Sequence, residues 1–457
     1  MQRAALALAL LGASVGAIKI DFTDDASIKN GASTIAYGLM KYYSGNETGQ
    51  TPGVLPKPYY WWETGAMFNT LIDYWAQTGD DAYNAVTKQG LLWQVGEAND
   101  FMPVNQTTSE GSDDQGVWAL AALSAAESGF PSPSDGEPQW LDLAQNVFDD
   151  LVARWDTKTC GGGLRWQIFT FNAGYDYKNS ASNGVFFDLA ARLYLQTKNS
   201  TYSHWASEVF EWEQKVGLIS DSYDVFDGIR TESCGTVSKI QNSMNAGLFL
   251  HGSAAMYNAT TSSEWKTRVD GLLKGVQGTF VKDGGVLFEA ACEGQGTCNV
   301  DMQGYKSFLV RGLRATAELA AYTGGTVRPL LVSSAKAAAA ACSGTTTKMY
   351  LGKPGTVCGF SWVLENGQVF DGKIGVGEQM NALSAVISTL SSGGAAQGGG
   401  EGSSSGGNGT STVGPSKTSG TSGAVTASVT PPSAGTRIAA DAVAVVAALG
   451  GVVVGLW

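Results

Sequence analysis

Histidine is nearly missing: among 457 residues only His204 and His251 occur, too little material for a Ser-His-Asp triad or a histidine-rich zinc site. Charge is scarce too. Asp, Glu, Lys and Arg make up 15% of the chain, acids outnumber bases 41 to 29, and the formal net charge is -12. A phosphate backbone would be repelled and an anionic membrane surface would not attract such a chain, which argues against nucleic acid as a partner. No Cys-x-x-Cys pair marks a metal site, and alternating runs of the kind that build half-buried strands are few. By elimination the chemistry falls to carboxylates, with neither metal nor cofactor expected.

What is present begins with an Ala/Leu run after Arg3 that ends in Val15-Gly16-Ala17, the pattern of a cleavable signal peptide over residues 1–17. Export favours disulfides, and the cysteines number six, which allows fifteen connectivities. Short loops close most easily, so Cys292 is expected with Cys298 and Cys342 with Cys358, leaving Cys160 with Cys234. Asn46, Asn105, Asn199, Asn258 and Asn408 stand in Asn-x-Ser/Thr sequons, the acceptor pattern of an extracellular surface. From residue 392 to 436 Gly, Ser and Thr take over as a flexible stalk. Residues 437–457 are then an apolar tail without basic residues after it, as in a removable GPI-attachment signal with Ser433 as the expected site. Ser422-Gly423-Ala424 is an alternative attachment site, and a transmembrane helix is the alternative reading of the tail. The expected setting is the cell surface, with the chain anchored at the membrane or wall.

Between residues 18 and 391 the apolar spacing is helical. Twelve helices are predicted, over 31–43, 60–78, 80–97, 114–128, 138–154, 180–197, 201–216, 239–258, 262–280, 303–323, 326–341 and 377–391. Short and long connections alternate, so consecutive helices form antiparallel hairpins and every long loop falls on one face. Six hairpins bury their apolar sides by closing into a ring, which predicts an all-α (α/α)6 toroid. A monomer is expected.

The helix starts that follow the long loops should meet at the mouth of the ring. They are 59–63, 113–115, 178–183, 239–242, 301–306 and 378–381, and each is rich in hydrogen-bonding or aromatic groups. Among them Asp113-Asp114 is the closely spaced acid pair. Adjacent acids at a helix start are also ordinary first-turn residues that favour the helix dipole, and a metal-binding reading lacks a third acid after Gln115. In a polar cleft the pair can divide the work of a glycosidase, one ionised and one protonated. Consecutive helical Cβ atoms lie roughly 5 to 6 Å apart, near the spacing of retaining enzymes. Trp61, Trp62, Trp166, Tyr175 and Tyr177 are candidate stacking surfaces for pyranose faces, whereas Trp118 is equally suited to the core. Glu63, Gln115, Asp176, Lys178, Asn179, Asp227, Asn245 and Gln379 complete the candidate sugar contacts.

The stretches 61–67 (WWETGAM), 105–107 (NQT), 113–116 (DDQG), 160–167 (CGGGLRWQ), 175–179 (YDYKN) and 375–380 (GVGEQM) together resemble the fungal GPI-anchored mannosidases of the defective-in-filamentous-growth type, within glycoside hydrolase family 76. The likeness spans roughly residues 20–390. It implies the (α/α)6 fold, retaining endo-attack on α-1,6-linked mannose, Asp113 as nucleophile and Asp114 as acid/base. It further implies α-mannan or a GPI-core glycan as substrate, with wall glucan as a possible acceptor. One departure stands out: Met244 occupies the place before Asn245 where the family usually carries tyrosine, which predicts a weakened sugar subsite. The rival expectation is a non-catalytic mannan-binding wall glycoprotein.

Overall fold

The computed structural model describes residues 17–282, 284–342, 357–363 and 370–390. The expected leader but for its last residue, the stalk with Asn408 and the tail with Ser433 lie outside the described residues. Helix α1 (Asp25–Met40) is followed by α2 (Trp61–Thr78), α3 (Asn84–Trp93), α4 (Ser112–Ser128), α5 (Trp140–Ala153) and α6 (Ser180–Thr197). The second half carries α7 (Ser200–Lys215), α8 (Ser243–Thr260), α9 (Ser263–Thr279), α10 (Lys306–Leu319), α11 (Gly324–Ala341) and α12 (Val376–Ile387). Each even-numbered helix packs on the next, and α12 closes on α2. The odd-numbered helices pack outside them, with α1 completing the sixth pair against α12. The architecture is the (α/α)6 toroid.

Composition separates the two rings. The inner helix α6 is buried on all sides from Ser182 to Leu193, as expected of a helix enclosed by neighbours. The outer helix α5 buries one stripe, Trp140, Leu143, Ala144, Val147, Phe148 and Leu151, and its spacing is that of a single helical face. Each such Leu or Phe contributes about 1.5–3 kcal/mol. The inner helices α8 and α10 approach so closely that a Cβ on Gly247 would lie 2.5 Å from the Phe308 carbonyl oxygen. Only glycine fits there.

Boundaries differ from the periodicity where side-chain caps and pairing intervene. Helix α1 starts at residue 25 rather than 31 because the Asp24 carboxylate accepts the Ala26 N–H at 3.1 Å. Helix α8 starts at 243 rather than 239 because Val237–Ser238 (β3) pairs with Gly228–Arg230 (β2), which pairs in turn with Tyr177–Asn179 (β1). A second hairpin joins Val281–Lys282 (β4) to Val286–Leu287 (β5).

All three disulfides brace the long loops: Cys160–Cys234, Cys292–Cys298 and Cys342–Cys358. Asn46, Asn105, Asn199 and Asn258 are exposed. Lys178 holds the 154–163 loop from within: its buried Nζ donates to the carbonyls of Asp156 (2.9 Å), Thr159 (2.7 Å) and Gly162 (2.5 Å) and pairs with the Asp156 carboxylate at 3.4 Å. Replacing Lys178 by Met removes the ammonium donor from three carbonyls and one cation from the Asp156 carboxylate, which keeps Arg165 at 2.8 Å. The expected loss is about 3–5 kcal/mol, read as a lowered midpoint in urea unfolding.

Candidate active site

Where the inner helices begin, the long loops surround a cavity of about 550 Å³. Its floor is the start of α4. Gly111 is the N-cap of that helix, and its N–H donates to Asp114 Oδ2 at 2.7 Å. Asp113 receives two donors: the Asp114 N–H at 3.1 Å on Oδ1 and Asn179 Nδ2 at 3.1 Å on Oδ2. The Ser112 N–H, donating to the Trp166 carbonyl at 2.7 Å, fixes the helix start against the 154–176 loop.

Electrostatics divide the pair. Burial lifts both carboxyls above the ordinary range. Asp113 is held back by its bonds to Asn179 and the backbone. Asp114 is lifted further by the charge of Asp113, against the single Gly111 bond, so it stays protonated longer. Asp301 raises both. The arrangement is one ionised and one protonated carboxyl at the floor of a cleft, the donor set of glycoside hydrolysis.

Aromatic and polar groups close the walls. Trp61 and Trp62 line the cavity while Trp61 Nε1 donates to Gln94 Oε1 and Trp62 Nε1 to Asp301 Oδ1, both at 3.0 Å. Trp166, Tyr177, Asn179, Asp227, Met244 and Asn245 also line it. The Tyr177 hydroxyl donates to Asp227 Oδ2 at 2.5 Å, and Asn242 Nδ2 reaches Asp227 Oδ1 at 3.3 Å.

Six of the sequence candidates do not line the cavity. Glu63 is buried under the start of α2, where it accepts the Tyr60 N–H at 2.7 Å. Gln115 faces away from the cleft, donating to the Asp100 carbonyl and Asp150 and accepting from Arg154. Lys178 is the loop post described above. Gln379 donates to the Ile35 carbonyl and accepts the Cys358 N–H. Tyr175 lies under the Arg165 guanidinium at 4.5 Å, and Asp176 pairs with Arg230 on an exposed sheet edge at 2.6 Å. In each case the polar group or ring is committed to protein partners that sequence spacing does not reveal. Trp118 is core, stacked on Trp61 at 4.8 Å.

Sequence reasoning missed Glu110, Gln106, Ser109 and Gln167, all in the wall. Glu110 is buried, neither of its carboxyl oxygens has a hydrogen-bond partner, and burial with the Asp114 charge pushes its pKa up to about 9. The signal available was its place directly before Gly111. Asp301 and Tyr305 stand at a helix start flagged by the loop pattern, and both line the cavity.

Residues 27–397 match Glycosyl hydrolase family 76. The mannan endo-1,6-alpha-mannosidase DCW1 of Saccharomyces cerevisiae is 45% identical over 376 residues, covering 82% of this chain and 81% of that protein. The crystal structure of Dfg5 from Chaetomium thermophilum in complex with glucosamine superposes with a TM-score of 0.76 at 45% identity, over 82% of this chain and 92% of that one. An inactive variant of the alpha-1,6-mannanase GH76A of Salegentibacter sp. HEL1_6, in complex with alpha-1,6-mannotriose, shares the fold at 17% identity with a TM-score of 0.61, over 79% of this chain and 99% of that one. With the toroid, the cleft and the carboxyl pair in place, the chain belongs to glycosyl hydrolase family 76 and is a glycoside hydrolase.

Proposed function

We propose that this chain is a retaining endo-glycosidase of α-1,6-mannosidic linkages, with Asp113 as nucleophile and Asp114 as acid/base. The observation that carries this is the unequal setting of two adjacent carboxyls: two donors on Asp113, one donor and a neighbouring charge on Asp114. The Asp113 carboxylate attacks the anomeric carbon while Asp114 gives its proton to the departing glycosidic oxygen, leaving a glycosyl ester on Asp113. Asp114, now ionised, takes a proton from an incoming hydroxyl whose oxygen displaces Asp113, and the anomeric configuration is retained. Names of relatives such as the mannan endo-1,6-alpha-mannosidases support the linkage.

The incoming hydroxyl can be water or a sugar. Transfer of the mannose-containing GPI glycan of surface glycoproteins to wall glucan is the role we propose, in a chain exported by residues 1–17 and GPI-anchored through Ser433. Mass spectrometry of products from α-1,6-mannotetraose, with and without a glucan oligosaccharide, tests it. Mixed mannose–glucose products are expected; glycan binding with no cleavage under either condition would instead favour a wall lectin.

Met244 lines the cavity just before Asn245. Met244→Tyr supplies a ring and a hydroxyl to the same wall, and is expected to lower KM for α-1,6-mannotetraose about 3- to 10-fold with kcat little changed.

A further inference from the structure

Beside the cleft lies an aromatic surface that the chemistry above does not use. Phe169 and Phe171 stack with ring centroids 5.4 Å apart and planes 12° from parallel, and Phe171 is 69% exposed. Phe169 is half-buried beneath it, so the Phe171 ring leaves an apolar face on which a flat ligand face can stack. Its position follows from backbone bonds. Gly111, whose N–H holds Asp114, bridges to Gln167, and the Ile168 N–H reaches the Glu110 carbonyl at 3.4 Å. The chain then passes directly into Phe169. Asn172 Nδ2 ties the far end of the turn back to Gln167 Oε1 at 3.0 Å and to the Thr108 carbonyl at 2.9 Å. The pair therefore follows within a few residues the backbone that bonds to Gly111, the residue holding Asp114, and Asp114 is the group that in the proposed mechanism protonates the leaving sugar and activates the acceptor.

We propose that Phe169 and Phe171 form an acceptor platform that stacks on a neutral glucopyranose chain and directs the glycosyl group to glucan rather than to water. This rests on the retaining mechanism proposed above. Two features select the occupant. Residues 168–174 carry no charge, which disfavours an anionic ligand. Phenylalanine offers a ring face and no hydrogen bond, so its fit depends on C–H groups alone. A β-glucopyranose has all substituents equatorial and presents axial C–H groups on both faces, whereas mannopyranose places an axial O2 on one of them. The platform thus fits glucan better than the mannan donor, and neither ring is among the residues that line the cavity around the carboxyl pair.

The test uses α-1,6-mannotetraose as donor and laminaribiose or laminarihexaose as acceptor, with transfer and hydrolysis products counted by mass spectrometry. In F171A the transfer-to-hydrolysis ratio with laminarihexaose is expected to fall roughly five- to tenfold, with a smaller change for laminaribiose. Phe171→Trp should restore it. An unchanged ratio in both F171A and the F169A/F171A double variant would overturn the proposal, as would hydrolysis with no transfer product in the unmodified protein. Loss of donor cleavage in F171A equal to the loss of transfer would assign the platform to mannan and sink the glucan assignment. Absence of any donor cleavage by the unmodified protein would instead sink the underlying mechanism.

Discussion

Asp113→Asn is expected to slow cleavage of α-1,6-mannotetraose by at least roughly a thousandfold, because the amide cannot form the glycosyl ester. Asp114→Asn should cost about 100- to 10,000-fold on the same substrate, for a different reason: the leaving sugar no longer receives a proton. The two losses separate when the leaving group changes. Fluoride departs without protonation, so Asp114→Asn should form the glycosyl ester from α-1,6-mannobiosyl fluoride while Asp113→Asn does not. Both side chains are half-buried in the cleft and make few bonds, so neither variant should shift the melting temperature by more than a few degrees. Equal turnover of the fluoride by both variants would overturn the assignment of roles.

The second large effect is on stability against pH. Burial pushes Glu63 and Glu213 up to about 8, Glu110 to about 9, and Glu289 and Glu378 to about 7, from an ordinary 4.5. These folded values lie above the unfolded one, so the stability these groups contribute is complete below pH 4.5 and is lost as pH rises through 7 to 9. Asp156 runs the other way. Its bonds to Thr159 and Lys158 and its proximity to Lys178 outweigh burial and hold it down to about 2, so its contribution is present above pH 3.8 and lost as pH falls. All five glutamates shift in the same direction, so their losses add as pH rises. The protein should be most stable near pH 4–5, with a melting temperature lower by roughly 5–15 °C at pH 8.5. Glu213→Gln, which keeps a partner for Ser180 Oγ at 3.0 Å, should flatten the alkaline fall. A melting temperature that rises from pH 5 to 8.5 would contradict the burial of these groups as neutral acids.

The toroid was legible in the sequence because two local signals agree on it. Apolar residues recur with a helical period, and loop lengths alternate, so helices α2 to α12 appear near their true places. What periodicity could not supply are bonds between residues far apart in the chain. The sheet of residues 177–179, 228–230 and 237–238 looks like loop in sequence, and it moves the start of α8. The same limit governs the site. Asp113, Asp114, Trp61, Trp62 and Asn179 lie at helix starts and line the cleft. Lys178 lies at one too, yet its ammonium group turns inward to three carbonyls. Lys306 behaves alike, donating to the Phe360 carbonyl at 2.6 Å. Both cations hold loops. Glu110 is marked in sequence only by its place directly before Gly111; spacing alone does not distinguish a carboxyl in a cavity wall from one in solvent.

The most direct test is a peptide mass spectrum of the Asp114→Ala variant after reaction with α-1,6-mannobiosyl fluoride. The fluoride allows the first step, and without the Asp114 base the second is slow, so the ester accumulates. A dimannosyl increment on the peptide that carries Asp113 is the predicted result. Fluoride release with no adduct, or an adduct on any other carboxylate, would contradict the account.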